Sequence, residues 1–174
     1  MSGLYEEIQE LRARYPEERS AVMPALQLAQ ERHGGWLPEA AFREVADALD
    51  VTPAYCLSIA SFYDMFRLEP VGETVIEVCT NISCALNGAQ QVVEALESEL
   101  GLHAGETTGA YTLRTVECLG GCGWAPIVAV NNRHRLRVRA ENVPALVAEL
   151  EHPELPDHDE AGDIVKAGAD DADA

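Results

Sequence analysis

The sequence has one lysine, no Cys-x-x-Cys motif and no apolar run long enough to cross a membrane. A membrane-spanning helix needs about 18 or more consecutive apolar residues. No signal peptide with a basic start and an apolar core opens the chain. We therefore expect a cytosolic protein without direct membrane insertion, in a compartment where clustered cysteines more often hold metal than form disulfides.

Motifs for nucleotide chemistry are also missing. There is no Gly-x-Gly-x-x-Gly after a predicted strand, no phosphate-binding glycine loop and no Ser/His/Asp grouping that is typical of catalysis. The chain therefore has no evident means of binding NAD or flavin by itself. Any hydride chemistry is expected to occur on another polypeptide.

Acidic residues dominate the charge. The formal net charge is −18, and residues 151–174 alone carry nine acids and Lys166. Nucleic acid is a poor partner for such a surface, because binding relies on Lys and Arg to neutralise phosphates. Residues 151–174, rich in Asp, Pro, Ala and Gly, are predicted to form an acidic disordered tail.

Four of the five cysteines form two close pairs, Cys79-x4-Cys84 and Cys118-x3-Cys122. Four thiolates that converge on one point can hold an iron–sulfur cluster, and spacings of this kind also suit structural zinc. A redox disulfide is a third reading, although the Cys-x-x-Cys motif of thioredoxin-like chemistry is absent. No histidine lies near either pair, which argues against a Rieske centre. Spacing alone leaves these three alternatives open.

Helical periodicity governs residues 1–70, which are predicted to form a small helical bundle. Ser20 is the expected cap of the second helix and Thr52 of the fourth. Residues 71–150 read as β-α-β-β-β-α, an α/β layer in which both cysteine pairs begin where a strand ends. The sequence thus predicts an α+β protein: an N-terminal helical bundle, a second domain with a mixed sheet, and the tail.

Two single residues are read as structural. Cys56 lies in a short apolar helix and is expected to pack as a small hydrophobe. Pro126 lies between Ala125 and the third strand, and the sequence does not decide whether the peptide bond before it is cis or trans.

Four arginines alternate near the end of the second domain. They are expected to share one face of a strand that runs from His134 to Val138. Such a face could dock an acidic partner surface or the edge of a nucleotide, or could simply be the solvated side of an edge strand. These arginines are Arg133, Arg135, Arg137 and Arg139.

Several motifs in their order resemble a known family. They are Ser-Phe-Tyr-x-x-Phe in the helical part, Val-Cys-Thr-Asn-Ile-Ser-Cys, Gly-Glu-Thr-Thr, and Glu-Cys-Leu-Gly-Gly-Cys-Gly-Trp-Ala-Pro. Over about residues 4 to 150 the chain looks like the small iron–sulfur subunit, of the E type, in the NADH dehydrogenase module of respiratory complex I. Related chains are diaphorase-type subunits of soluble NAD-dependent formate dehydrogenases and hydrogenases.

The resemblance implies a thioredoxin-like ferredoxin domain with one [2Fe–2S] cluster, held by Cys79, Cys84, Cys118 and Cys122. It implies electron transfer within NADH:quinone oxidoreductase, next to a large flavoprotein subunit and other subunits of the peripheral arm. FMN and NAD would be bound only by the partner subunit. The arm would lie on the cytoplasmic side of a bacterial membrane, and the chain itself would have no catalytic residues. The alternatives are the diaphorase role and a zinc-stabilised interaction domain.

Overall fold

The computed structural model describes residues 2–150, and the tail predicted at residues 151–174 lies outside the described residues. The chain divides into two compact units, one ending at Glu73 and the other beginning at Thr74. The described part of the first unit contains helices only, and the second contains a mixed sheet with helices. The predicted α+β class is therefore confirmed. No helix within residues 2–150 combines the length and apolar character that a membrane span requires.

Four α-helices build the first unit around one apolar core. Ile8, Leu26, Val45 and Leu49, one or two from each of the first three helices, are completely buried. Their three-to-four-residue spacing gives each helix an apolar stripe, and these stripes meet in the core. The helices are α1 (Ser2–Arg12), α2 (Val22–Arg32), α3 (Glu39–Leu49) and α4 (Pro53–Phe62).

The start of α2 differs from the sequence-based expectation. Ser20 does not cap this helix, because a 3-10 turn over Glu18–Ala21 precedes it and Ala21 occupies the N-cap position. No side chain accepts a capping hydrogen bond at α2. Since the 3-10 turn runs directly into α2, the first amides of the helix need no separate side-chain cap.

Thr52 caps α4, as predicted. The backbone N–H of Tyr55 donates a hydrogen bond to Thr52 Oγ1 over 3.2 Å, and Pro53 occupies the first helical position. Because this bond satisfies one of the unpaired amides of the first turn, Thr52→Ala is expected to lower the free energy of unfolding by about 1 kcal/mol. Urea denaturation followed by circular dichroism measures the loss. Thr52→Ser keeps the hydroxyl and should retain most of the stability; equal losses in both variants would contradict the capping role.

The second unit contains four strands in the order β2-β1-β3-β4. β1 runs parallel to β2 and antiparallel to β3, and β3 is antiparallel to β4. The strands are β1 (Thr74–Cys79), β2 (Tyr111–Val116), β3 (Val128–Val130) and β4 (Arg133–Arg135). The helices are α5 (Ile82–Leu86), α6 (Ala89–Leu100) and α7 (Val143–Leu150).

Apolar residues on one face of this sheet form the core of the second unit. Ile76, Val78 and Leu113 from the strands are buried with Leu96 of α6 and Val143 of α7. Because side chains alternate between faces along a strand, Ile76 and Val78 share this face while Cys79 points to the other. The sheet and its two longer helices therefore hold the ends of β1 and β2 in fixed positions.

Three local features of the second unit differ from the sequence-based expectation or extend it. The helix predicted to start near Leu86 begins at Ala89, and a separate short helix, α5, precedes it. β4 ends at Arg135 and does not continue to Val138. The peptide bond between Ala125 and Pro126, which the sequence left undecided, is cis.

Candidate metal centre

Two parallel strands deliver the cysteine pairs to one edge of the sheet. Cys79 is the last residue of β1 and is paired in register with Val116, the last residue of β2. Cys118 follows two residues later. The carboxyl ends of adjacent parallel strands lie at the same edge, so the loops after β1 and β2 start side by side. This placement agrees with the prediction that two loops at one end of the sheet meet.

The first cysteine pair is buried. Cys79 is 3% exposed and Cys84, in the middle of α5, is 2% exposed. Asn81 begins α5, and its side-chain oxygen accepts a hydrogen bond of 2.7 Å from the Ile82 amide. This cap turns the chain directly after β1, so the short helix carries Cys84 back beside Cys79. Both sulfurs lie in a small apolar cluster with Ile127.

The two buried thiols have opposite pKa shifts. Burial alone would raise the pKa of Cys79, but hydrogen bonds from the backbone amides of Asn81 and Leu119 and from Cys84 outweigh it and lower that pKa. Burial raises the pKa of Cys84, and the neighbouring sulfurs of Cys79 and Cys122 raise it further. The amides therefore stabilise a thiolate at Cys79, the form in which cysteine binds metal.

The second pair lies in an exposed glycine-containing loop. The Gly120 amide donates a hydrogen bond of 3.3 Å to Cys118 Sγ. Gly120 has a φ of +76°, a left-handed conformation that glycine adopts at little cost. A Cβ at Gly121 would lie 3.0 Å from Ile127 Cδ1, so this position is also too close to the core for a side chain. Cys122 then opens a 3-10 turn, Cys122–Trp124, that contacts α5.

Sequence reasoning anticipated only part of this environment. An amide–sulfur hydrogen bond from the glycine loop is present at Gly120. The two amides that act on Cys79 belong to Asn81 and Leu119, which the sequence had not singled out. The Asn81-Ile82 step after a strand was the available signal, since Asn at that place is typical of a helix N-cap.

The donor set suits a metal centre built on sulfur. All five cysteines are in the reduced form, which leaves four thiols available on the two loops. Within residues 2–150, no group of three or more His, Cys, Asp or Glu side chains is already arranged to hold a metal ion. The structure thus brings Cys79, Cys84 and Cys122 into one neighbourhood and leaves Cys118 exposed on the adjoining loop. The four-cysteine ligand set stays a prediction.

Cys56 lies apart from this site. It is fully buried in the core of the first unit, in agreement with its expected packing role, and burial raises its pKa from 9.0 to about 11. At pH 8 its thiolate fraction, and hence its rate of alkylation, is therefore expected to be about 100-fold below that of an unperturbed thiol. Peptide-resolved mass spectrometry after iodoacetamide treatment measures this rate. The same peptide in urea should react at the ordinary rate, and fast reaction in the folded protein would contradict the burial.

Comparisons with known proteins agree with this geometry. Residues 8–151 match the family of thioredoxin-like [2Fe–2S] ferredoxins. An E-type subunit of NADH-quinone oxidoreductase, the one numbered 2, of Rhizobium meliloti (strain 1021) is 44% identical over 144 residues, which cover 82% of this chain and 85% of the relative. The E-type subunit of NADH-quinone oxidoreductase of Rickettsia bellii (strain RML369-C) is 38% identical, with 79% of this chain and 84% of the relative covered.

A solved structure supports the fold independently. The crystal structure of NAD+-reducing [NiFe]-hydrogenase in the air-oxidized state matches 77% of this chain and 23% of that chain, with a TM-score of 0.65. At 20% sequence identity this likeness concerns the fold alone. Both the family match and the two relatives extend over most of the chain, and they confirm the resemblance drawn from the cysteine motifs. The chain belongs to the thioredoxin-like [2Fe–2S] ferredoxin family.

Proposed function

We propose that this chain is an electron-transfer subunit of an NADH:quinone oxidoreductase, where it holds one [2Fe–2S] cluster next to a larger subunit that binds FMN and NADH. The main support is its relation to two bacterial E-type subunits, which are 38% and 44% identical over most of their length. The family to which the chain belongs is itself defined by a [2Fe–2S] cluster. In the cell the chain would lie in the peripheral arm, on the cytoplasmic side of the membrane.

The residues that would hold the cluster are Cys79, Cys84, Cys118 and Cys122. When bound, such a cluster supplies one-electron redox chemistry, with a potential set by charge, hydrogen bonds to sulfur and solvent exposure. Four thiolates fit it because the two loops that carry them start side by side, and amides on both loops already donate hydrogen bonds to sulfur.

The chain's own groups adjust that site in two ways. Backbone amides at Asn81, Leu119 and Gly120 donate hydrogen bonds to cysteine sulfur, which stabilises negative charge there. Ile127, fully buried beside Cys79 and Cys84, keeps water from the first pair. The second pair is exposed, so the side of the site that a partner can approach is the loop with Cys118 and Cys122.

The division of labour follows from the same residues. Since the sequence carries no nucleotide-binding motif, the oxidation of NADH is assigned to the flavoprotein partner. This chain would exchange single electrons with the flavin and would contribute no catalytic residue. Residues 71–150 would form the electron-carrying domain and residues 1–70 a helical domain.

A second candidate is the diaphorase-type subunit of a soluble NAD-dependent hydrogenase or formate dehydrogenase. The fold it shares with part of an NAD+-reducing [NiFe]-hydrogenase is the observation in its favour. The 20% identity of that match carries less weight than the 44% identity of the NADH-quinone oxidoreductase relative. Quinone oxidoreduction is therefore the better-supported role.

Anaerobic isolation of the tagged chain from the cells that produce it tests both candidates. The expected material is brown, contains about two irons and two acid-labile sulfides per chain, and carries a flavoprotein together with membrane-arm subunits. Mass spectrometry identifies the co-isolated subunits. A hydrogenase or formate dehydrogenase subunit in their place would select the second candidate. Colourless protein with zinc and no sulfide would overturn the cluster and favour a zinc-stabilised interaction domain.

A further inference from the structure

Positive charge in the second unit is concentrated in one short stretch. Four of the chain's eleven arginines lie within residues 133–139, here called the arginine segment. No acidic residue occurs between Glu117 and Glu141, although the chain as a whole has a net charge of −18. The segment is therefore a local cationic region on a strongly acidic protein, and it attracts anionic groups.

The arginine segment forms the outer edge of the sheet, but its side chains do not line one face as predicted. β4 pairs only with β3 and ends at Arg135. Arg137 has a φ of +53°, which breaks the alternation expected of a strand. His134, Arg137 and Arg139 are exposed, and Arg133 and Arg135 are half-buried. The prediction that all four arginines share one strand face is wrong, because the backbone turns at Arg137.

Internal carboxylates do not neutralise the first two arginines. Within residues 2–150, neither Arg133 nor Arg135 has a carboxylate oxygen within 4.0 Å. Arg139 lies 3.9 Å from Glu141, and both side chains are more than 70% exposed, so this pair is weak. A half-buried guanidinium loses part of its hydration, and an anion beside it would compensate for that loss.

The backbone of the arginine segment is nevertheless held firmly. The Arg137 amide donates to Trp124 O over 2.8 Å, and the Val138 amide donates to Pro126 O over 3.0 Å. Val138 is buried in the core of the unit, and Leu136 packs against the cluster around the first cysteine pair. The cationic side chains are thus displayed from a fixed edge, directly beside the turn that contains Cys122.

We propose that the acidic tail of this chain, residues 151–174, binds the arginine segment. The tail carries nine acids and one lysine, a net charge of −8 that is opposite in sign to the segment. It begins where α7 ends, and α7 starts four residues after Arg139. An eight-residue helix is about 12 Å long, while a fully extended tail of this length could reach about 80 Å. Reach is therefore no obstacle, and tethering gives the tail an effective concentration of about millimolar at the segment.

This occupant has consequences for the neighbouring site, and it does not depend on the proposed function. Because the segment is hydrogen-bonded to Trp124, a bound tail lies beside the loop with Cys118 and Cys122. A partner that docks on this loop competes with the tail, and the competition weakens as salt increases. An acidic surface of another protein is the alternative occupant, which the following test separates from the tail.

Chemical footprinting of the complete, cluster-loaded chain tests the proposal. Phenylglyoxal modifies accessible guanidinium groups, and peptide mass spectrometry reads the rate at each arginine. In a variant whose nine tail acids are replaced by Asn or Gln, Arg133 and Arg135 are expected to react about three- to tenfold faster than in the unaltered chain. Sodium chloride at about 0.5 M should produce the same increase in the unaltered chain. Arg14 and Arg43, both exposed in the first unit, serve as internal references and should not change.

A reciprocal experiment follows the tail. Arg133→Gln together with Arg135→Gln should release the tail, so a protease that cleaves after Glu should cut at Glu151, Glu154 and Glu160 severalfold faster. The matched control is Arg14→Gln with Arg43→Gln, which removes the same charge elsewhere and should leave the rate unchanged. Equal rates at Arg133 and Arg135 with and without the tail acids would overturn the proposal and leave the segment to an external acidic partner. Equal acceleration in the control variant would also overturn it, since the effect would then be one of net charge.

Discussion

Cys118→Ala is expected to abolish the visible absorption and the reduced-state electron paramagnetic resonance signal of a [2Fe–2S] cluster. The cluster needs four protein ligands, and the second loop offers only Cys118 and Cys122. Cys118 is exposed and lies outside the apolar clusters, so its removal leaves the core of the second unit intact. The measurement is iron and sulfide content together with both spectra in anaerobically prepared protein.

Cys56→Ala provides the matched control for this variant. It removes one cysteine from the first unit, where the thiol is buried by apolar neighbours and far along the chain from both pairs. The cluster content of Cys56→Ala should equal that of the unaltered chain, although some stability is lost from the core. Circular dichroism confirms that both variants are folded. A full iron content and an unchanged spectrum in Cys118→Ala would exclude Cys118 as a ligand, and with it the four-cysteine set.

The candidate site is largely predictable from the sequence because its position follows from strand ends. The apolar stretch before Cys79 and the stretch before Cys118 both read as strands, and parallel strands place their ends at the same edge. The structure pairs Cys79 with Val116, which brings the two loops together. Which amides act on the sulfurs was less accessible, since the amides of Asn81 and Leu119 reach Cys79 only through the three-dimensional path of the loops.

The edge of the sheet was harder to predict for a physical reason. The alternation of arginines after Asn132 fits a strand, and periodicity alone cannot detect where a strand stops. At Arg137 the backbone adopts a positive φ and its amide bonds to Trp124 instead of to a neighbouring strand. This tertiary hydrogen bond outweighs the local preference for a strand, which is weak and depends on context.

Helix starts show the same limit. At α4, Thr52 and Pro53 give a local signal, and the cap forms as predicted. At α2 the local signal at Ser20 is equally clear, but the chain enters the helix through a 3-10 turn and the cap is not used. Local chemistry therefore identifies the helices of the first unit, whereas their first residues depend on how the preceding turn packs.

Leu113→Ala is the stability change with the largest expected effect in the second unit. Leu113 is fully buried in β2, and its side chain packs in the core with Ile76, Val92 and Leu96. Its truncation removes apolar contacts and leaves a cavity that a sheet can close only partly, at a cost of about 2–5 kcal/mol. With a urea slope of about 1–3 kcal/mol/M, the midpoint of unfolding should fall by about 1–3 M.

The visible absorption of the cluster reports this loss selectively, because all four proposed ligands belong to the second unit. Bleaching of this absorption in urea should therefore shift with Leu113→Ala, while the helical signal of the first unit shifts less. Leu86→Ala is the control, since Leu86 lies in α5 beside the site but is 83% exposed, and its truncation should change stability by about 0.5 kcal/mol or less. If both variants bleach at the same urea concentration, burial in the sheet does not govern the stability of the cluster, and the cysteine loops hold it independently of the core beneath them.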